Sequence, residues 1–313
     1  MGHCQPVIGR AAKVESAVLH VVFNPVAGRG RARAALDELV RQLEAVGAEH
    51  ALHVTTGPGH AVELAAATPA GATVVAVGGD GTVHEVVTGL VRAEGGRAVT
   101  SRCLGVVPVG SGDDFAHALG LRRGDVPAAV RTLLAGARER VDLGMVNGAP
   151  FANAFSTGFD ADVASRLDDA PGFLKGLAAY LYALVISLGS ARSVPAKVVL
   201  DGIDAGVGTA LLVAAQNGPR TGGSFRYAPD AVPDDGLLDV VVARDLGLLG
   251  TLSVLPRVMM GTHLTHPKIE LRRARRVEIE WVQPRRAHAD GESAGRSERF
   301  VVELLPGALT VIR

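Results

Sequence analysis

Four times in its first half this chain runs through a short aliphatic, β-branched stretch, breaks at glycine or proline, and resumes with helical spacing. The stretches are Val18–Phe23, ending in Asn24-Pro25; Leu52–Thr55, ending in Gly57-Pro58-Gly59; Thr73–Val77, ending in Gly78-Gly79-Asp80-Gly81; and Leu104–Val107, ending near Gly110-Ser111-Gly112. After the first break Leu36, Leu39, Val40, Leu43 and Val46 share one helix face, and Ala61–Ala67 lie in the helix of the second cycle. Strands apolar on both faces and separated by helices make an open, mainly parallel sheet. Such sheets bind ligands beyond the carboxyl ends of their strands, where these breaks fall.

The pattern changes near Arg140–Gly144. The later segments are short and hairpin-like: Ala152–Ser156, Ala196–Leu200, Thr209–Asn217, Leu237–Ala243, Lys268–Leu271, Val277–Val282 and Phe300–Leu304. Two helices interrupt them, Phe173–Leu188 and Gly247–Met260. This predicts an antiparallel β-sandwich. With 313 residues, the expected fold class is α/β, with an open parallel-sheet domain over 1–143 and a β-sandwich over 144–313. The last residues are allowed to return and pack on the first domain. No long linker separates the halves, so they are expected to meet face to face across a cleft.

Composition removes several classes. Lys+Arg and Asp+Glu both total 32, so no global cationic field for nucleic acid exists. A hydrophobic fraction of 48% excludes disorder. Cys4 and Cys103 are the only cysteines, which removes a disulfide scaffold and a zinc site and fits a reducing compartment. The N-terminus has no apolar run behind a basic head, so no signal peptide is read there. Gly176–Ala191 carries no charge, but it is short of the roughly 20 apolar residues of a span and contains Gly, Ser and Tyr.

The stretch from Gly78 to Thr82 is the most informative. Glycines after a buried strand let backbone approach a phosphate, and the following helix N-terminus offers free N–H groups. The plain alternative is a tight strand-to-helix turn with Thr82 as helix cap. The run has neither the lysine of a P-loop nor the glycine order of a dinucleotide fingerprint. It recurs in company, however, with Asn24–Gly28 after the first strand and Gly110–Phe115 after the fourth. Three small-residue loops on one sheet edge suit a polyphosphate.

Together with the late Asp290-Gly291-Glu292, these loops resemble, in order and from about Leu19 to Leu304, the four signatures of the diacylglycerol kinase catalytic family. That family includes bacterial lipid kinases and the sphingosine and ceramide kinases. The resemblance implies a first domain related to NAD kinases and phosphofructokinases, a β-sandwich second domain, and ATP-dependent phosphorylation of a lipid hydroxyl. It implies nucleotide contacts at Asn24, Pro25, Val26, Ala27, Gly28, Thr55, Gly78, Gly79, Asp80, Gly81, Thr82 and Ser111. Asp113 departs from the family, which usually has Asn there; Asp114 keeps the matching position.

Phosphoryl transfer needs positioning, charge neutralisation and a base. Lysines are few, so Mg²⁺ is expected, with Asp80 and Asp114 as candidate ligands; their plain alternative is helix capping. The resemblance implies a structural Mg²⁺ at the Val232 and Leu237 carbonyls and the Asp235 side chain, a segment that read alone is a turn. It implies a catalytic base at Glu292, with Asp290 a rival; in extended chain both carboxylates would share one side. The plain alternative there is an exposed Asp-Gly hairpin turn.

Other features weigh less. Arg272, Arg273, Arg275, Arg276, Arg285 and Arg286 read as a solvated face or as contacts to anionic lipid. His84 reads as structural. The expectation is a cytoplasmic ATP- and Mg²⁺-dependent lipid kinase, peripheral at the inner face of the membrane, converting diacylglycerol to phosphatidic acid. It has no transmembrane span and no nucleic-acid partner, and a homodimer is left open. The competing readings are a soluble-substrate kinase such as NAD kinase and a catalytically silent nucleotide or lipid sensor.

Overall fold

The computed structural model describes residues 18–172, 174 and 177–313. Cys4, the N-terminal segment, Phe173 and Gly176 lie outside the described residues. The first half contains β1 (Leu19–Phe23), α1 (Arg31–Ala45), β2 (His50–Val54), α2 (His60–Ala66), β3 (Thr73–Gly78), α3 (Asp80–Ala93) and β4 (Val99–Pro108). The short α4 (Asp114–Ala118) and then α5 (Val126–Ala135) follow. Helix α5 is bounded by local chemistry: Asp125 Oδ1 accepts the Ala128 N–H at 3.0 Å, and Gly136 ends it at φ 66°.

The chain then runs through β5 (Arg138–Val146), β6 (Ala149–Phe151), β7 (Ala154–Gly158), α6 (Phe159–Ala164) and α7 (Leu177–Ser187). Next come β8 (Val194–Leu200), β9 (Ile203–Asp204), β10 (Gly208–Ala210), β11 (Leu212–Gln216) and β12 (Leu238–Ala243). The last elements are α8 (Gly247–Met260), β13 (Ile269–Ala274), β14 (Arg276–Ala289) and β15 (Glu292–Ile312).

Strands β2, β1, β3 and β4 pair in parallel in that order, so the breaks at Asn24, Gly78 and Gly110 emerge on one edge. The sheet's two faces are filled separately. Val83, Val86 and Leu90 of α3 pack with Val74 and Ala76, and Leu36, Leu39 and Leu43 of α1 pack with Val75 and Val77. Alternation along β3 thus serves two cores, which is why its run is apolar throughout.

In the second half β7, β11, β12 and β13 pair antiparallel in sequence. Strand β14 pairs with β8 along Val277–Trp281 and with β7 along Ala287–Ala289. Between these stretches its register with β15 shifts twice, a bulged corner that carries the strand from one layer to the other. Phe155, Ile279, Trp281 and Phe300 fill the space between the layers. The long β15 leaves this sandwich, pairs antiparallel with β5, and ends parallel to β4, with Val311 opposite Leu104. The two halves are therefore joined by a shared strand as well as by surface contact.

Some local expectations need correction. Helix α1 stops at Ala45, and Val46, 60% exposed, lies past it in the turn to β2. The Thr209–Asn217 segment is two strands, because Leu211 leaves the β10–β8 pairing before β11 begins its own. Thr82 does not cap α3: Gly79 is the N-cap, and Thr82 is buried inside the first turn.

Helices α2 and α3 approach so closely at Gly89 that a Cβ there would lie 2.3 Å from the Val62 carbonyl oxygen and 2.8 Å from the Ala65 Cβ. Alanine is intrinsically the better helix former by about 1 kcal/mol. Overpacking against fixed backbone costs about 1–3 kcal/mol. With backbone only 2.3 Å away the upper end of that cost applies, so Gly89→Ala is expected to lower stability by about 2 kcal/mol in urea melts. An unchanged or raised midpoint would mean that α2 slides away freely.

Candidate active site

The loops after β1, β3 and β4 lock into one another. Asn24 Nδ2 donates to Thr82 Oγ1 at 3.0 Å, and its Oδ1 accepts the Val26 N–H at 3.1 Å, so one side chain ties the first loop to the start of α3. Gly28 has φ 58°, and a Cβ there would lie 2.0 Å from the Val109 carbonyl oxygen. Gly79 and Gly110 face each other: a Cβ on Gly110 would stand 2.5 Å from the Gly79 Cα. Pro25 and Ala27 complete the first loop, from which Val26 projects, 80% exposed. Thr55 is buried beyond the end of β2, its N–H on the Phe23 carbonyl at 2.9 Å. Ser111 is exposed, and its carbonyl accepts from Arg123.

Three carboxylates crowd this junction. Asp80 accepts the backbone N–H groups of Asp113 at 2.7 Å and Asp114 at 2.6 Å, and so caps α4 from another loop. Burial raises its pKa, the two backbone bonds oppose this, and the Asp290 charge adds to the rise. Asp113 sits at φ 54°, a conformation that Asn and Asp tolerate best. Its Oδ1 accepts the Gly110 N–H at 2.9 Å, while Oδ2 is buried without a partner. Burial, and then the Asp80 charge, push its carboxyl up to about 6. Asp114 is no helix cap. Its oxygens accept the Gly223 N–H at 2.9 and 3.1 Å, and Arg220 Nε lies 3.4 Å away. Burial and Asp80 raise its pKa as well.

Asp290 and Glu292 part company. Asp290 and Gly291, at φ 52° and 88°, form a two-residue turn between paired Ala289 and Glu292. The extended reading that put both carboxylates on one side is therefore corrected. Nor is this turn's carboxylate exposed. Asp290 accepts the N–H groups of Ala152 at 2.8 Å, Asn153 at 2.8 Å and Ala154 at 3.0 Å, and its Oδ2 meets His84 Nδ1 at 3.1 Å. Burial works against its ionisation, but the His84 bond and charge with the backbone donors prevail and lower its pKa. His84, opposed by burial but favoured by Asp290 and Glu292, has its pKa raised. His84, read as structural, thus braces the Asp290 carboxylate. Glu292 is exposed, and its Oε1 lies 2.8 Å from where a Gly81 Cβ would stand.

The Val232–Leu237 segment lies elsewhere. Asp235 Oδ1 accepts the Leu237 N–H at 3.0 Å and its other oxygen pairs with Arg273. Asp142 braces the same loop, accepting the N–H groups of Gly236 and Gly307, each at 2.7 Å. Both Asp235 oxygens thus have partners without a metal. Among the described residues no group of three or more His, Cys, Asp or Glu is arranged to hold one. No hydrogen bond or ion pair among the described residues joins this loop directly to the glycine loops.

Sequence reasoning passed over Asp142, Asn217 and Arg220. Asn217 Nδ2 donates to the carbonyls of Ala152 at 2.7 Å and Asp142 at 3.0 Å, and so supports the bend that Asp290 grips. Its only signal was a polar Gln216-Asn217-Gly218 directly after an apolar strand. A further feature is an apolar pocket under α7 and α8. Leu184, Leu211, Val241, Val254 and Val258 line it, with Tyr180, Tyr227 and Asp160 among its polar groups.

Residues 18–146 match the family model described as the diacylglycerol kinase catalytic domain, and residues 153–313 match the YegS C-terminal NAD kinase beta sandwich-like domain. The diacylglycerol kinase of Bacillus subtilis is 32% identical over 282 residues, 88% of this chain and 89% of that protein. The chain belongs to the diacylglycerol kinase catalytic family. It is therefore a member of a lipid kinase family. The fold agrees. A crystal structure of a diacylglycerol kinase from Bacillus anthracis superposes with a TM-score of 0.71 at 25% identity, covering 95% of this chain and 96% of that one. Yeast NADH kinase, at a TM-score of 0.51 and 12% identity over 96% of this chain and 84% of that one, shares the fold alone. The family's open α/β and β-sandwich architecture is the one read from the sequence.

The geometry of Asp113 offers a direct test of this acidic junction. An amide can keep φ 54° and the Gly110 bond while removing a buried charge. With the carboxyl raised from 3.8 to about 6, its ionisation weakens the fold as pH climbs from about 4 to about 6 and by a constant amount above. Asp113→Asn is expected to stabilise by about 1–2 kcal/mol at pH 7.5, the gain shrinking toward zero at pH 4. Urea melts at both values check this; a loss at pH 7.5 would mean that the charge is compensated in the fold.

Proposed function

We propose that this lipid kinase transfers the γ-phosphoryl group of ATP to the hydroxyl of diacylglycerol, giving phosphatidic acid. The observation that carries the reading is the approach of Glu292 to Gly81. It sets a free carboxylate from the second half against the glycine loop of the first. The acceptor hydroxyl loses its proton to Glu292 as its oxygen bonds to the γ-phosphorus, and the bond to the β–γ bridging oxygen breaks to release ADP. Asp290 makes a poor base, since its pKa is lowered and both oxygens accept hydrogen bonds. Its role is to position the turn.

The nucleotide would lie along Asn24–Gly28, Gly78–Thr82, Thr55 and Ser111, with the N-terminus of α3 toward its phosphates. Asp80 and Asp114 remain the candidates to hold Mg²⁺, directly or through water, once a nucleotide is present, and Asp113 Oδ2 lies beside them without a partner. Mg²⁺ there would offset phosphate charge, and Asp235 remains the candidate for a structural ion. The apolar lining of the pocket under α7 and α8 makes it the candidate for contact with an acyl chain. No helix among the described residues is long and apolar enough to cross a membrane. The enzyme is proposed to meet its substrate from the cytoplasmic side, at the bilayer surface.

Mixed vesicles carrying diacylglycerol, ceramide or sphingosine, and NAD in solution, each with ATP and Mg²⁺, separate the acceptors; turnover confined to NAD would remove the lipid reading. Glu292→Gln is expected to lower kcat by about 10²–10⁴-fold with ATP affinity little changed. Gly81→Ala displaces only the far end of a flexible side chain. It should therefore lower kcat while leaving the melting temperature unchanged. Asp290→Asn should act mainly on stability. Loss of kcat confined to the Asp290 variant, with its fold intact, would move the base to that residue.

A further inference from the structure

The arginines of β13 and β14 read as one cluster in sequence, but the fold sorts them. Arg272 pairs with Glu270 at 2.9 Å, Arg273 with Asp235, and Arg276 with Glu278 at 3.1 Å, while Arg275 donates to the Gly236 carbonyl at 3.2 Å. Arg285 and Arg286 belong elsewhere, at the corner where β14 passes from β8 to β7. There they meet Arg296 of β15, which lies directly opposite Arg286 in register. Like charges directly opposite each other on a sheet repel.

A pocket opens at this corner, lined by Asp162, Gln283, Pro284, Arg285, Arg286 and Arg296. Arg285 is only 10% exposed; one terminal nitrogen donates to Asp162 at 3.1 Å, and its Nε is buried with no acceptor. Arg296 spends its Nε on the Pro284 carbonyl at 3.1 Å. One carboxylate therefore faces three guanidinium groups. Burial raises the Asp162 pKa in spite of the nearby Arg285, Arg286, Arg166 and Arg296.

We propose that this corner is a phosphate-binding site, separate from the nucleotide loops, in which Arg285, Arg286 and Arg296 hold a phosphomonoester or phosphodiester group. Guanidinium forks match phosphate oxygens with paired, charge-assisted hydrogen bonds. The buried Arg285 Nε is a donor waiting for an acceptor, and Gln283 adds an amide. The phosphate can come from a soluble ion or from the headgroup of an anionic phospholipid. The site goes beyond the proposed transfer reaction and does not depend on it.

The molecule supplies its own probe. The chain has one tryptophan, Trp281, buried at 4% exposure, and the Arg285 guanidinium carbon lies 5.7 Å from its ring centroid. The full chain is titrated with inorganic phosphate against chloride of equal ionic strength, then with phosphatidylcholine vesicles with and without phosphatidic acid. A saturable change in Trp281 emission is expected in the wild type. Arg286→Ala with Arg296→Ala should weaken it by about tenfold for each arginine removed, while the thermal melt is retained. Saturation by phosphate alone assigns a free phosphate group; saturation only by phosphatidic acid vesicles assigns a headgroup; either supports the site. No response to any probe, or an equal response in the double variant, overturns it.

Discussion

The Asp290 carboxylate is the fixed point of this site. Buried at the tip of the β14–β15 hairpin, it accepts three consecutive backbone N–H groups, from Ala152, Asn153 and Ala154, and bonds His84 of α3. Hydrogen bonds to a charged group are worth about 1.5–3 kcal/mol each. Removing the charge leaves several buried donors unpaired, a loss of about 3–5 kcal/mol. Because His84 belongs to the first half and the other donors to the bend before β7 and its first residue, one carboxylate holds the hairpin against both. Its pH window has two edges. The lowered Asp290 pKa loses its contribution as pH falls below the ordinary carboxylate range, and the raised His84 pKa loses its own as pH climbs past 6.5.

That anchorage decides what Glu292 can do. Two residues along a flat strand the carboxylates would point together, but the left-handed turn sends Asp290 inward and leaves Glu292 over Gly81. A carboxylate bound by backbone donors positions, and one left exposed can exchange protons. The division of roles proposed for the two carboxylates rests on hydrogen-bond saturation and not on residue type. On the other side of the junction Asp80, Asp113 and Asp114 are held close by the N–H groups they accept, against mutual repulsion. Backbone donors fix that geometry.

The parallel sheet was legible because β1, β3 and β4 are apolar on both faces and end in breaks that secondary structure demands. Helix α8 was legible for the same local reason. The path of β15 was not: its run from Glu292 to Ile312 reads as a strand near Phe300–Leu304, and nothing local records that its end pairs with β4. The bend of β14 was also hidden, since its partner changes from β8 to β7 without a proline or glycine at the corner other than Pro284. At the site, the order of motifs named the loops, while partner choice stayed invisible. That Asp80 caps α4, that His84 reaches Asp290 and that Asp142 braces the Asp235 loop are contacts across 33, 206 and 94 residues respectively.

The glycines carry a further lesson about reading such loops. A glycine beside a phosphate and a glycine beside another loop look alike in sequence. Gly28 would meet the Val109 carbonyl, Gly78 the Thr82 side chain, and Gly110 the Gly79 Cα, all at 2.5 Å or less, so the fold itself requires them small. Gly81 and Gly112 differ, because their first contacts are carboxylate oxygens, of Glu292 at 2.8 Å and of Asp80 at 2.5 Å. The first set interlocks three strand ends into one rigid edge. The second lets acidic groups from distant parts of the chain come down onto that edge. The interlock builds a platform that many α/β folds could share. The carboxylates that reach it through the second set are what set this platform apart from a plain strand-to-helix turn.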